Sequence, residues 1–86
     1  MPIVTVFYGI VIRMFYQEHG PPHFHAEYQG QSGTFDFRGR PLAGEVRSRT
    51  ARRLIAEWAL AHRLELEANW TRIEAGRTLN TIEPLE

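Results

Sequence analysis

From His23 to Tyr28 polar and apolar side chains alternate, with His23, His25 and Glu27 on one parity and Phe24, Ala26 and Tyr28 on the other. A strand points successive side chains to opposite faces. The stretch therefore predicts a strand whose apolar face serves a core while two imidazoles and a carboxylate share the exposed face. Earlier, residues 3–8 (Ile-Val-Thr-Val-Phe-Tyr) are rich in β-branched and aromatic types and are interrupted by Gly9, which reads as a strand and its turn. Residues 10–16 read as a second strand, with Ile10, Ile12 and Met14 on one side and Arg13 on the other. Gln17 to Pro22 form a loop. Residues 23–29 and 32–38 are two further strands joined around Gly30 and Gly33.

The register of that last hairpin is set by its apolar residues. Phe35 and Phe37 should share a face with Phe24, Ala26 and Tyr28, because a one-residue slip would expose one set. The preferred pairing puts Phe24 opposite Phe37 and Ala26 opposite Phe35, with Gly30-Gln31 as a type II′ turn. On the polar face His25 then meets Asp36, His23 meets Arg38 and Glu27 meets Thr34. The next register of the same parity would oppose Glu27 to Asp36, a like-charge pair.

Gly39, Pro41 and Gly44 mark a loop with a short extended piece at Leu42. Ser48 and Thr50 are the available caps for the helix that follows. Ala51, Leu54, Ile55, Trp58, His62, Leu66, Asn69 and Ile73 recur at helical spacing, and Gly76 is a natural stop. A continuous helix over 48–75 would run roughly 42 Å. Leu60 and Leu64 fall off its main stripe. Either the helix breaks near His62-Arg63, or its far side meets a second chain. The tail through Ile82-Glu83-Pro84-Leu85 reads as an extended strap. Strands first and helix last predict an α+β fold: a small antiparallel sheet of about four strands over 1–46, a long or once-broken helix over 47–76, and a tail over 77–86.

Composition narrows the chemistry. A chain of 86 residues, 43% hydrophobic and 12% aromatic, reads as one domain with one compact core. No cysteine is present, which excludes disulfides and thiolate zinc sites. The start, Met1-Pro2-Ile3-Val4, predicts no signal peptide. No stretch approaches the ~20 apolar residues of a membrane span, so a cytoplasmic protein is expected. Net charge is zero, which argues against general affinity for nucleic acid. All ten basic residues are arginine; GC-rich codon usage accounts for that more simply than phosphate recognition.

Two chemistries fit the polar face. His23 and His25 at i, i+2 on a strand, with Glu27 next along the face and His19 folding in from the loop, form a ligand set for a divalent transition metal. Alternatively, His23 and His25 act as acid and base with Asp36 as orienting carboxylate, while Arg13 and Arg38 hold a phosphate. The competing structural account has His23 capping the Pro21-Pro22 turn and His25 paired with Asp36. Arg47, Arg49, Arg52 and Arg53 form a local cluster suited to phosphate or nucleic acid. Without net positive charge or interleaved aromatics, ordinary pairing such as Arg53 with Glu57 explains it better. Leu60, Leu64 and Trp70 are candidate interface residues. Trp58 reads as core, and His62 and Asn69 as satisfied polar members of the stripe.

Gly9-Ile10-Val11-Ile12, Met14 and His19-x-Pro21-Pro22-His23-Phe24-His25-x-x-Tyr28 together resemble the bacterial family catalogued as domain of unknown function 4160. Glu57-Trp58-Ala59-x-x-His62-Arg63-x-x-Leu66-x-x-Asn69-Trp70 and Ile82-Glu83-Pro84-Leu85 are similar to the same family. Where that family leads one to expect a proline before the helix, this chain has Arg47-Ser48. The resemblance implies a small intracellular protein that acts with a second small protein encoded alongside, in the manner of a toxin–antitoxin module. It supplies no established reaction and no catalytic residue. The expected function is thus an interaction component of such a module, using Leu60, Leu64, Trp70 and the tail, with a homo-oligomer as another arrangement of the same surface. The rival is a small hydrolase or nuclease acting through the His-x-His-x-Glu face, with or without metal. A DNA-binding role for Arg47 to Arg53 is a third and weaker expectation.

Overall fold

The computed structural model describes residues 2–86. Five strands, β1 (Ile3–Phe7), β2 (Ile10–Arg13), β3 (Phe24–Tyr28), β4 (Gln31–Phe35) and β5 (Pro41–Gly44), form an antiparallel sheet in the order of the chain. Two helices follow, α1 (Arg49–Ala61) and α2 (Arg63–Glu74). The fold is α+β, with a fifth strand where a loop with an extended piece was expected. No helix among the described residues is long and apolar enough to cross a membrane.

The alternation in β3 places its faces as expected. Phe24 and Ala26 are fully buried, beside Ile10, Ile12 and Phe35 from the neighbouring strands. Trp58 of α1 closes this core, meeting Phe24 edge-on at 5.5 Å and Phe7 at 5.8 Å between ring centroids.

The register of the β3–β4 hairpin corrects the expectation by two residues. Phe24 opposes Phe35, Ala26 opposes Gly33, and Tyr28 opposes Gln31. The turn is Gln29-Gly30, with φ of 49° and 77°. Two successive positive φ values make a type I′ turn, whose twist matches that of the strands it joins. The shift keeps the parity, so no side chain changes face. It does remove the pairs of His25 with Asp36 and of His23 with Arg38: His25 opposes Thr34 and Glu27 opposes Ser32. Asp36 instead closes the turn into β5, its Oδ1 accepting the backbone N–H groups of Arg38 and Arg40, each at 2.9 Å. Gly39 in that turn has φ 81°, and a Cβ there would lie 2.4 Å from the Cα of Ala56, so the turn lies directly on α1.

Ser48 caps α1, its Oγ accepting the Ala51 N–H at 3.1 Å. The helical segment breaks at His62, where φ is −120° and ψ 27°. Neither proline nor glycine causes the break. The molecule's longest dimension is 34 Å, shorter than the roughly 42 Å a continuous helix over 48–75 would need. The His62 imidazole accompanies the bend, with Nδ1 2.8 Å from Glu65 Oε1. Beyond Gly76 the tail runs back over the core. The Ile82 N–H donates to the Val4 carbonyl at 3.0 Å, and Trp58 Nε1 donates to the Glu83 carbonyl at 2.9 Å. Buried Asn69 is satisfied by Asn80, donating to its carbonyl and accepting its N–H, both at 2.9 Å.

Candidate functional site

The loop between β2 and β3 turns at Gln17, whose φ is 61°. Glu18 follows that turn and meets His23, which immediately precedes β3, and His25 within it. His25 Nε2 lies 2.6 Å from Glu18 Oε1, and His23 Nε2 lies 3.4 Å from the same oxygen. An ionised carboxylate only accepts, so in the short contact the His25 nitrogen donates. His23 is fixed from its other side: Nδ1 is 2.9 Å from the Pro21 carbonyl oxygen, which also only accepts. Nδ1 thus carries a proton, and Nε2 is the nitrogen presented to Glu18 and His25.

Aromatic contacts orient both rings. Phe15 meets His25 edge-on at 4.6 Å, and His23 lies against Trp70 of α2 at 5.4 Å. Trp70 in turn packs on Phe37 at 6.1 Å. It is half-buried and joins the core cluster. The His23 side chain keeps 11% of its exposure, His25 29% and Glu18 27%, so the cluster is sheltered but open to solvent. Partial burial opposes ionisation of Glu18. The hydrogen bonds and charge of His25 and His23 outweigh it and hold the carboxyl below its ordinary value.

One nitrogen from each histidine and one Glu18 oxygen all lie within 4.8 Å of one another. Two imidazoles and one carboxylate are a recurrent donor set for zinc, iron, manganese or nickel, and three protein ligands leave positions for water and substrate. The hydrogen bond from His23 Nδ1 to a backbone carbonyl is the kind that orients a ligating imidazole.

Of the residues singled out from sequence, His23 and His25 come together here. His19 is exposed and makes none of the cluster's hydrogen bonds. Glu27 is engaged by Arg13, whose Nε donates to Glu27 Oε2 at 2.9 Å. Asp36 holds its turn, and Arg38 is exposed. Arg47 pairs with Glu45 at 2.9 Å and Arg53 with Glu57 at 2.8 Å, Arg52 donates to the Val46 carbonyl at 3.1 Å, and Arg49 is exposed. Leu60 and Leu64 flank the helix break and are 61% and 81% exposed. Glu18 was not anticipated. The signal for it, a carboxylate beside His19 in the loop entering β3, lies where alternation carries no information.

The family described as "Domain of unknown function (DUF4160)" matches residues 9–71 of the 86, a span that takes in Glu18, His23 and His25. No curated protein and no solved structure matches the chain.

Proposed function

The chain belongs to the DUF4160 family, and from that premise we propose that it binds one divalent transition metal through Glu18, His23 and His25 and serves as a small hydrolase. The observation that carries this reading is the convergence of three ligand atoms within 4.8 Å, with His23 already held through Nδ1. Held by Glu18, His23 and His25, such a metal would supply Lewis acidity, lowering the pKa of a bound water toward neutrality. The protein's part is to fix the ligands: the Pro21 carbonyl sets the His23 tautomer, Phe15 steadies the His25 ring, and the turn at Gln17 delivers Glu18. Calorimetric titration of zinc into chelator-treated protein tests the reading. Wild type is expected to take up one equivalent, with H23A/H25A losing it and Glu18→Gln weakening it by 10-fold or more, as ligand-shell changes do. Uptake by wild type no tighter than by the double variant would overturn it.

A second reading rests on Leu60 and Leu64, which expose large apolar side chains on both sides of the helix break. Here the chain is the interaction component of a cytoplasmic two-protein module of toxin–antitoxin type. On this reading a second small protein is the partner, and co-expression with it should yield a complex that Leu64→Ala weakens and H23A/H25A leaves intact. Recovery of no complex from that co-expression would remove this reading.

A further inference from the structure

Next to the cluster, on the other side of the Pro21-Pro22 turn, lies an open cleft of about 280 Å³. Pro21, Pro22 and Phe37 form its apolar wall, and Arg38, Arg40 and Arg63 approach it with Asp36 and Glu67. Two elements join cleft and cluster. Pro21, which lines the cleft, accepts a hydrogen bond from His23 Nδ1 at its carbonyl, and Trp70 touches both His23 and the cleft-lining Phe37.

The charges of the cleft are unequally engaged. Arg63 donates to Glu67 at 3.1 Å. Asp36 is occupied by the backbone N–H groups of Arg38 and Arg40, which fixes where those two residues leave the turn. Neither the Arg38 nor the Arg40 guanidinium pairs with a carboxylate among the described residues. Three guanidinium groups against two carboxylates leave one net positive charge. Guanidinium forks suit the paired oxygens of phosphate, and a single excess charge matches the single negative charge of a phosphodiester.

We infer that this cleft is a phosphodiester-binding subsite, with Arg38 and Arg40 gripping the non-bridging oxygens and the Pro21-Pro22-Phe37 wall taking the adjoining sugar or base. Its role as the substrate site of a hydrolase rests on the metal centre proposed above; its affinity for phosphodiesters does not. The subsite gives the reaction a substrate class: a nucleic-acid strand positioned against the turn that holds His23. A chain of zero net charge achieves this through a local excess of positive charge, so binding should be confined to one place and sensitive to salt.

The test is fluorescence anisotropy of a short labelled single-stranded RNA, and of the DNA strand of the same sequence, with chelator present. Wild type should bind, and R38A/R40A should bind at least about tenfold more weakly, as for loss of two charge-assisted hydrogen bonds. Both side chains are exposed, so the fold should survive; R38Q/R40Q repeats the test with polar replacements. R47A/R49A, which removes the same charge elsewhere, should bind as wild type does. Binding of both strands marks a backbone site, and binding of RNA alone adds a contact to the ribose; either supports the subsite. Binding of neither, equal binding by R38A/R40A, or an equal loss in R47A/R49A would overturn it. Zinc titration of the same proteins separates the two proposals. Normal zinc uptake with no effect of R38A/R40A on RNA would sink the subsite alone. Absent zinc uptake with that effect intact would sink the metal centre alone.

Discussion

The two faces of β3 are held in place by different physics. Phe24 and Ala26 are fully buried, and their positions follow from excluding water and filling space. His23 and His25, on the alternate positions, stay partly exposed and are held by directed contacts to Pro21, Glu18, Phe15 and Trp70. Packing is cooperative and punishes loss of volume, whereas a few directed contacts at a surface contribute little to stability and much to geometry. Adjacent residues of one strand therefore divide into those that hold the fold and those free to serve chemistry.

The sharpest way to break this contrast is to cut into the buried face. Phe24→Ala is expected to cost about 3–5 kcal/mol, read by denaturant unfolding; a loss within the surface range would refute the division. On the other face, H23A/H25A should cost no more than about 1 kcal/mol in metal-free protein. Its larger effect should appear with metal. Zinc at a hundred times its dissociation constant should stabilise wild type by about 2.7 kcal/mol and leave the double variant unmoved, as measured by the shift in the unfolding curve.

Acid sharpens the comparison further. The Glu18 carboxyl is lowered on folding from its ordinary value of 4.5. A carboxyl depressed in the folded state contributes stability that is present above its unfolded value and disappears as pH falls through the folded one. Metal-free wild type should therefore lose stability as pH drops below 4.5, and Glu18→Gln should flatten that limb in unfolding curves taken across the acid range. The smallest effect should belong to Leu64→Ala, within about 0.5 kcal/mol, because that side chain is 81% exposed; a larger loss would place it in the core rather than at a partner surface.

Burial was the part of this structure most legible in sequence. The parity of β3, Trp58 as core and the satisfied Asn69 all follow from periodicity and hydrogen-bonding demand, and of the two caps the sequence offers the structure uses Ser48. The bend at His62 was one of two readings, and the molecule's length decides for it. What escaped depended on turns. Phe24 finds an apolar partner in Phe35 as readily as in Phe37, so the apolar pattern could not fix the hairpin register; the Gln29-Gly30 backbone did. Glu18 was hidden for a related reason: a loop with φ of 61° at Gln17 redirects the chain in a way no side-chain pattern encodes. The cluster's third ligand atom was lost with it, and Glu27, on the right face, is held by Arg13 instead.

The strap formed by the tail sets an order of events during synthesis. Trp58 and Asn69 leave the ribosome before the residues that satisfy them, since their partners are the Glu83 and Asn80 backbone groups. Until those residues emerge, the indole N–H and the carboxamide lack their native partners, and the Val4 carbonyl on β1 awaits Ile82. The residues of the sheet and of both helices are by then already synthesised, while buried Ile82 is still to join the core. Completion of this fold thus waits for Asn80, Ile82 and Glu83, and the Val4 carbonyl at the edge of the first strand stays without its native donor until Ile82 has emerged.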